Sequence, residues 1–324
     1  MKIELNEQEY ILKPKRKRNG IKVIALLLLL CIGTACLTVD TEMPAGDNIA
    51  VLDIIGTICE NDGYTYDQQY LLSSIDSMIE DEHNKALVLH IDSPGGNVYE
   101  IDELYLKIME YKTMTGRPIY AAVENYAASG GYYVACAADA IYANRNAITG
   151  SIGVIMGEFL DLSQLLDNIG VGVSYVATGP NKAMGNSYEP LTAEQRAIYQ
   201  EICDESFAQF IEVIAEGRGM DEAVVRVLAD GRIYSAKQAV QSGMIDGIES
   251  FQATLERMTY DLGYNTIEVA HYSYIAPETF MDYMMAGDPI GYFAKNSDPD
   301  KQLSLQVDKH DAVREVLLLP YLIS

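Results

Sequence analysis

The chain has 324 residues, 49% apolar and 22% charged, with a formal net charge of -24; this is the balance of a globular protein with one large core or two modest ones. Residues 1–22 hold seven Lys/Arg against three Glu, and no cationic cluster recurs after them, so the acidic remainder is unsuited to nucleic acid, whose phosphates need grouped cations. Five cysteines with no Cys-x-x-Cys give no disulfide framework, and His83, His90, His271 and His310 form no pair at ligand spacing, so neither a metal nor a cofactor is expected.

A basic block, Lys13-Pro14-Lys15-Arg16-Lys17-Arg18, closes the N-terminal region 1–22 and precedes an uncharged run from Val23 to Val39. Its 17 residues lie at the lower edge of what spans a bilayer as a helix, and the preceding cations favour a cytoplasmic N-terminus. The expectation is a single-pass membrane anchor at 23–39 with the body extracytoplasmic. A cleaved signal peptide and lipidation at Cys36 are the rival readings. Residues 40–47 read as a linker.

From residue 48 short β-rich runs alternate with amphipathic helices. Strands are predicted at 48–58, 86–91, 118–123, 140–142, 152–155 and 173–177, and helices at 67–82, 98–115, 160–169, 192–217 and 220–229. Such alternation implies an α/β domain of parallel strands joined by right-handed crossovers, with its site at the strand ends. The body is expected to occupy 48–260, and 261–324 forms a C-terminal extension without an assigned role.

Within the body, Asn125-Tyr126-Ala127-Ala128-Ser129-Gly130-Gly131 sets one hydroxyl among small residues just before a buried helix. Unpaired N–H groups at a helix start can hold an oxyanion, so Ser129 is the candidate nucleophile; an N-cap serine is the bland alternative. A serine needs a base, and the four histidines sit in no triad context. A lysine can replace histidine only as the neutral amine, which requires its ordinary value of about 10.4 to fall. Lys182, on the turn-rich loop 178–186, is the best-placed candidate, although a lone loop lysine is ordinarily a solvated charge.

Four motifs in order then carry a resemblance: Asp92-Ser93-Pro94-Gly95-Gly96, Ser129 in Ala-Ala-Ser-Gly-Gly-Tyr-Tyr, Lys182 before Gly185 and Pro190-Leu191-Thr192, and Ala229-Asp230-Gly231-Arg232-Ile233-Tyr234. Over about residues 48–250 the chain resembles the short form of bacterial signal peptide peptidase A, a membrane-anchored serine protease of the ClpP/crotonase superfold. The resemblance implies repeated β-β-α units, Ser129 as nucleophile, Lys182 as general base and Ser151 as the residue positioning the lysine amine. It implies an oxyanion hole from the N–H groups of Gly96 and Gly130. It also implies a homo-oligomer, an octameric ring in which Ser and Lys of one site come from neighbouring subunits. The expected substrates are remnant signal peptides and other unfolded apolar peptides. A crotonase-like acyl-CoA enzyme and an inactive membrane scaffold of the same fold are the alternatives.

Overall fold

A computed structural model describes residues 46–276; the basic N-terminus, the apolar run 23–39 and residues 277–324 lie outside the described residues. Among the described residues no helix is long and apolar enough to cross a membrane.

The body opens with β1 (Asn48–Ile55), α1 (Gln68–Glu80), β2 (Asn84–Ser93), α2 (Val98–Thr115) and β3 (Ile119–Ala128). These three strands are parallel neighbours, as the alternation predicts. β1 and β2 face apolar layers on both sides, which is why they read as continuous Val/Ile/Leu runs. Ala50, Leu52 and Ile54 of β1 point to a large core with α1 and α2, and the alternate residues Ile49 and Val51 point to a smaller one. α1 starts on the Asp67 side chain, which accepts from the Tyr70 N–H, and buries Leu71, Ile75 and Met78. α2 buries Ile101, Leu104 and Ile108 and ends on Gly116 in the left-handed conformation.

β3 is the branch point. Its first part, Tyr120–Val123, pairs with β4 (Ala140–Ala143), and its last part, Tyr126–Ala128, pairs with β5 (Ile148–Gly150). Between them lies the short buried α3 (Gly130–Ala135). β5 continues to β6 (Ile233–Ser235) in an antiparallel pairing, and β4 to β7 (Gly247–Ile248). The repeated β-β-α unit is therefore not the pattern through β3, where single strands and helices alternate; only β4 and β5 follow one another directly.

The stretch between β5 and β6 departs most from expectation. Residues 152–155 and 173–177 form no strand; of the predicted helix 160–169 only α4 (Ser163–Asn168) forms. Val173 and Val176 are exposed, and without a neighbouring strand their β propensity has nothing to pair with. Next come α5 (Ala193–Arg218), opened by a capping box of Thr192 and Gln195, and α6 (Glu222–Leu228). Of α5 only the end near Phe210, Ile211, Val213 and Ile214 is buried.

After α7 (Ala236–Gln241), α8 (Phe251–Asp261) lays Leu255 and Met258 on the smaller core face. β8 (Glu268–Tyr272) then pairs in parallel with β1 over Asn48–Leu52. The sheet thus runs past the boundary expected at 260, and 261–276 are part of the body. A chain ending at residue 262 should expose the β1 edge, unfolding at lower temperature and self-associating, as thermal denaturation and size-exclusion chromatography would register.

Candidate active site

Only two non-glycine residues among those described have positive φ: Ser129, at 52°, and Ser151, at 51°. Side chains rarely tolerate this region, and strain of this kind persists only where the surroundings enforce it. The enforcement is visible. Ala128 of β3 pairs with Gly150 of β5, and the Ser129 N–H donates to the Gly150 carbonyl at 2.7 Å. One residue on, the Ser151 N–H donates to the Arg232 carbonyl at 2.8 Å. Both serines therefore leave paired strands at the same level, and both line one cavity of about 630 Å3.

Ser129 stands at the strand-to-helix turn and makes no side-chain cap bond, so the capping alternative does not hold; its carbonyl, not its hydroxyl, takes the N–H groups of Tyr132 and Tyr133. The loop after β2 comes up against this turn. Gly95, at φ 101°, is required there because an added Cβ would lie 2.7 Å from the Gly130 nitrogen and 2.9 Å from the Ser129 Cβ. Gly96 is clamped in a parallel bridge to Ile58, with the Ile58 N–H on the Gly95 carbonyl and the Asn97 N–H on the Ile58 carbonyl. Those bonds leave the Gly96 N–H without a partner among the described residues, as is the Gly130 N–H at the start of α3. Four of the five residues expected at the site, Ser129, Ser151, Gly96 and Gly130, thus line the same cavity.

Lys182 does not. It lies in the turn after residue 178, is exposed, and its amine has no partner among the described residues. In the same stretch between β5 and α5, Ile155, Leu160, Leu165, Ile169 and Val176 expose apolar side chains, Val176 completely.

A network the sequence reading passed over borders the serines. Asp102 of α2 accepts from the Tyr133 hydroxyl and from Gln209 Nε2, each at 2.7 Å, and Gln209 also donates to the Tyr133 oxygen at 2.9 Å. Burial and the adjacent Asp102 hold the Tyr133 phenol well above its ordinary value. Residues 31 and 107 positions apart in sequence form this group, so no local motif signals it.

His90 serves elsewhere. Its Nδ1 meets Asp53 at 2.8 Å, its Nε2 meets Glu124 at 3.2 Å, and its ring packs on Phe251, outside the cavity. The Ser273 hydroxyl donates to Asp53, not to the imidazole, so no Ser-His-Asp relay is formed. Among the described residues no cluster of His, Cys, Asp and Glu could hold a metal ion. Cys59, Cys136 and Cys203 are free, and burial pushes the Cys136 thiol up to about 12.

Residues 112–265 match the profile of peptidase family S49. An Enterococcus faecium protein provisionally named signal peptide peptidase SppA is 37% identical over 193 residues, 60% of this chain and 56% of its own length. The chloroplastic serine protease SPPA of Arabidopsis thaliana is 30% identical over 62% of this chain and 30% of its own. The chain thus spans about half of the first relative's length and under a third of the second's. A solved structure of the 1510-N membrane-bound stomatin-specific protease with a substrate peptide covers 75% of this chain and 99% of its own, at 17% identity and a TM-score of 0.45. That superposition is too loose to assign roles to residues.

Two outcomes are expected. Gly95→Ala forces a Cβ onto backbone at a positive φ and should cost about 1–3 kcal/mol in chemical denaturation. For His90, burial opposes the charge, but Asp53 and Glu124 outweigh it and raise its pKa. The stability this confers is fully present below the unfolded value near 6.5 and lost as pH rises through the raised folded value. The gap in melting temperature between wild type and His90→Gln should therefore be widest at mildly acidic pH and close in alkaline buffer.

Proposed function

We propose that the chain, whose residues 112–265 match peptidase family S49 and which is similar to SppA-type proteases, is a membrane-anchored serine endopeptidase using Ser129 and Lys182. The observation that carries this reading is the Ser129 turn: a strained serine that makes no side-chain cap bond and lines one cavity with Gly96 and Gly130, whose N–H groups have no partner among the described residues. Ser129 Oγ attacks the peptide carbonyl as its proton passes to the neutral Lys182 amine. The oxyanion is held by the Gly96 and Gly130 N–H groups. Collapse expels the amine product, which takes the proton back from Lys182, and water then releases the acyl group from Ser129 by the same proton route.

The exposed position of Lys182, on an arm with unpartnered apolar side chains, supports a site completed by a second copy. Burial of such an arm against a neighbour would also favour the neutral amine that the chemistry needs. In this reading Ser151 orients the incoming amine, the assembly is a ring, proposed as octameric, and residues 23–39 anchor it with the body outside the cytoplasm. Remnant signal peptides and other unfolded apolar peptides are the proposed substrates. An acyl-CoA enzyme is disfavoured because, among the described residues, no Lys, Arg or His lines the cavity to meet CoA phosphates.

Ser129→Ala and Lys182→Ala should each lower peptide cleavage by about 10⁴-fold or more, measured as kcat/KM on a fluorogenic peptide. Mixing the two inactive variants after dissociation and reassembly should recover part of the activity, because each supplies what the other lacks. No recovery would exclude a site shared between copies, and full activity in either single variant would sink the dyad.

A further inference from the structure

We propose that Asp102 determines substrate specificity, binding the cationic end of a lysine or arginine side chain of the peptide beside the scissile bond. The inference rests on the protease reading and adds to it a charge requirement that neither the family resemblance nor the apolar-substrate expectation contains.

The first two turns of α2 bring Val98, Ile101 and Asp102 to one wall of the Ser129 cavity, and α5 brings Phe207, Gln209 and Phe210 to another. Apolar Val98, Ile101, Phe207 and Phe210 share these walls with polar side chains such as Gln200 and Ser206, and the half-buried Asp102 carboxylate lies among them. Tyr133 and Gln209 both donate to Oδ1, which fixes the carboxylate; Oδ2 accepts no hydrogen bond among the described residues. The other two acids in the lining are engaged differently: Asp230 is ion-paired with Arg232, and Asp204 accepts from Gln200. Among the described residues no Lys, Arg or His lines the cavity, so there Asp102 has no cationic partner from them.

A carboxylate held by neutral donors keeps one oxygen for a charge-assisted hydrogen bond with an arriving cation. Lysine and arginine match both features of the space, since their aliphatic stems lie along apolar surface while the charged end reaches an acceptor. A neutral side chain of equal length would cover Oδ2 without pairing it, and an acidic one would be repelled.

The test uses the full-length protein in detergent micelles and a set of peptides sharing one cleaved apolar sequence. Each position flanking the cut is occupied in turn by lysine, arginine, norleucine or glutamate, and kcat/KM is measured for each. At one position lysine or arginine should exceed norleucine by about tenfold or more, with glutamate poorest. In Asp102→Asn that ratio should fall to near one, and in Asp102→Glu, which keeps the charge, it should largely return. Equal cleavage of the lysine and norleucine peptides by wild type, or a preference surviving in Asp102→Asn, overturns the assignment while leaving the protease reading intact. An equal loss on all peptides in Asp102→Asn, with the ratio unchanged, also overturns it and points instead to a pairing with Lys182. Absence of any cleavage by assembled wild type removes the protease reading and this inference with it.

Discussion

The site depends on the pairing of Ala128 with Gly150 and the hydrogen bond from the Ser129 N–H to the Gly150 carbonyl. That contact lets a strand end and a helix begin within one residue, at a φ that serine does not choose for itself. Its consequences spread outward. The turn aims the hydroxyl into the cavity instead of onto the helix end, sends the next residue of β5 into the same space, and leaves the first N–H of α3 unpaired. The loop after β2 supplies the opposing N–H, and it can approach only because Gly95 has no side chain. Strain at the serine is sustained by a core that does not yield: β1 and β2 are buried on both faces, and α3 is buried throughout.

The nucleophile and its proposed base inhabit different physical settings. Ser129 belongs to the packed part of the chain, where neighbours on β2, β5 and α2 fix its position. Lys182 belongs to a stretch that leaves the sheet after β5 and shows apolar side chains to the surroundings. A base that must be neutral gains from burial, and nothing among the described residues provides it at that residue. In the proposed reading, dividing the site between copies would make assembly a condition of activity.

In the proposed reading, the polar group of Asp102, Tyr133 and Gln209 would give the cavity a preference without altering the Ser129 turn. Tyr133 follows the serine by one helical turn, so whatever holds its phenol also bears on α3. The carboxylate on α2 and the amide on α5 meet there, linking the two cavity walls through one hydroxyl. The Asp53, His90 and Glu124 cluster, by contrast, ties neighbouring strands together away from the cavity and carries its charge for stability.

The sequence by itself determined the alternation that makes a parallel sheet, the extent of α2, the capped start of α5, and Ser129 with its glycines as a candidate site. These rest on local rules: periodicity, capping side chains and the freedom of small residues. It also singled out Lys182, but it did not say where that lysine lies. Tertiary structure alone decided that β3 branches to β4 and β5, that residues 173–177 stay out of the sheet, and that β8 closes the edge of β1. Each depends on which strand lies alongside, and hydrogen-bonding partners across a sheet leave no periodic mark in the chain. The same reason hid Asp102 from view. Its partners are 31 and 107 residues away, and only the packing of α2 and α5 on either side of α3 brings them within hydrogen-bond reach.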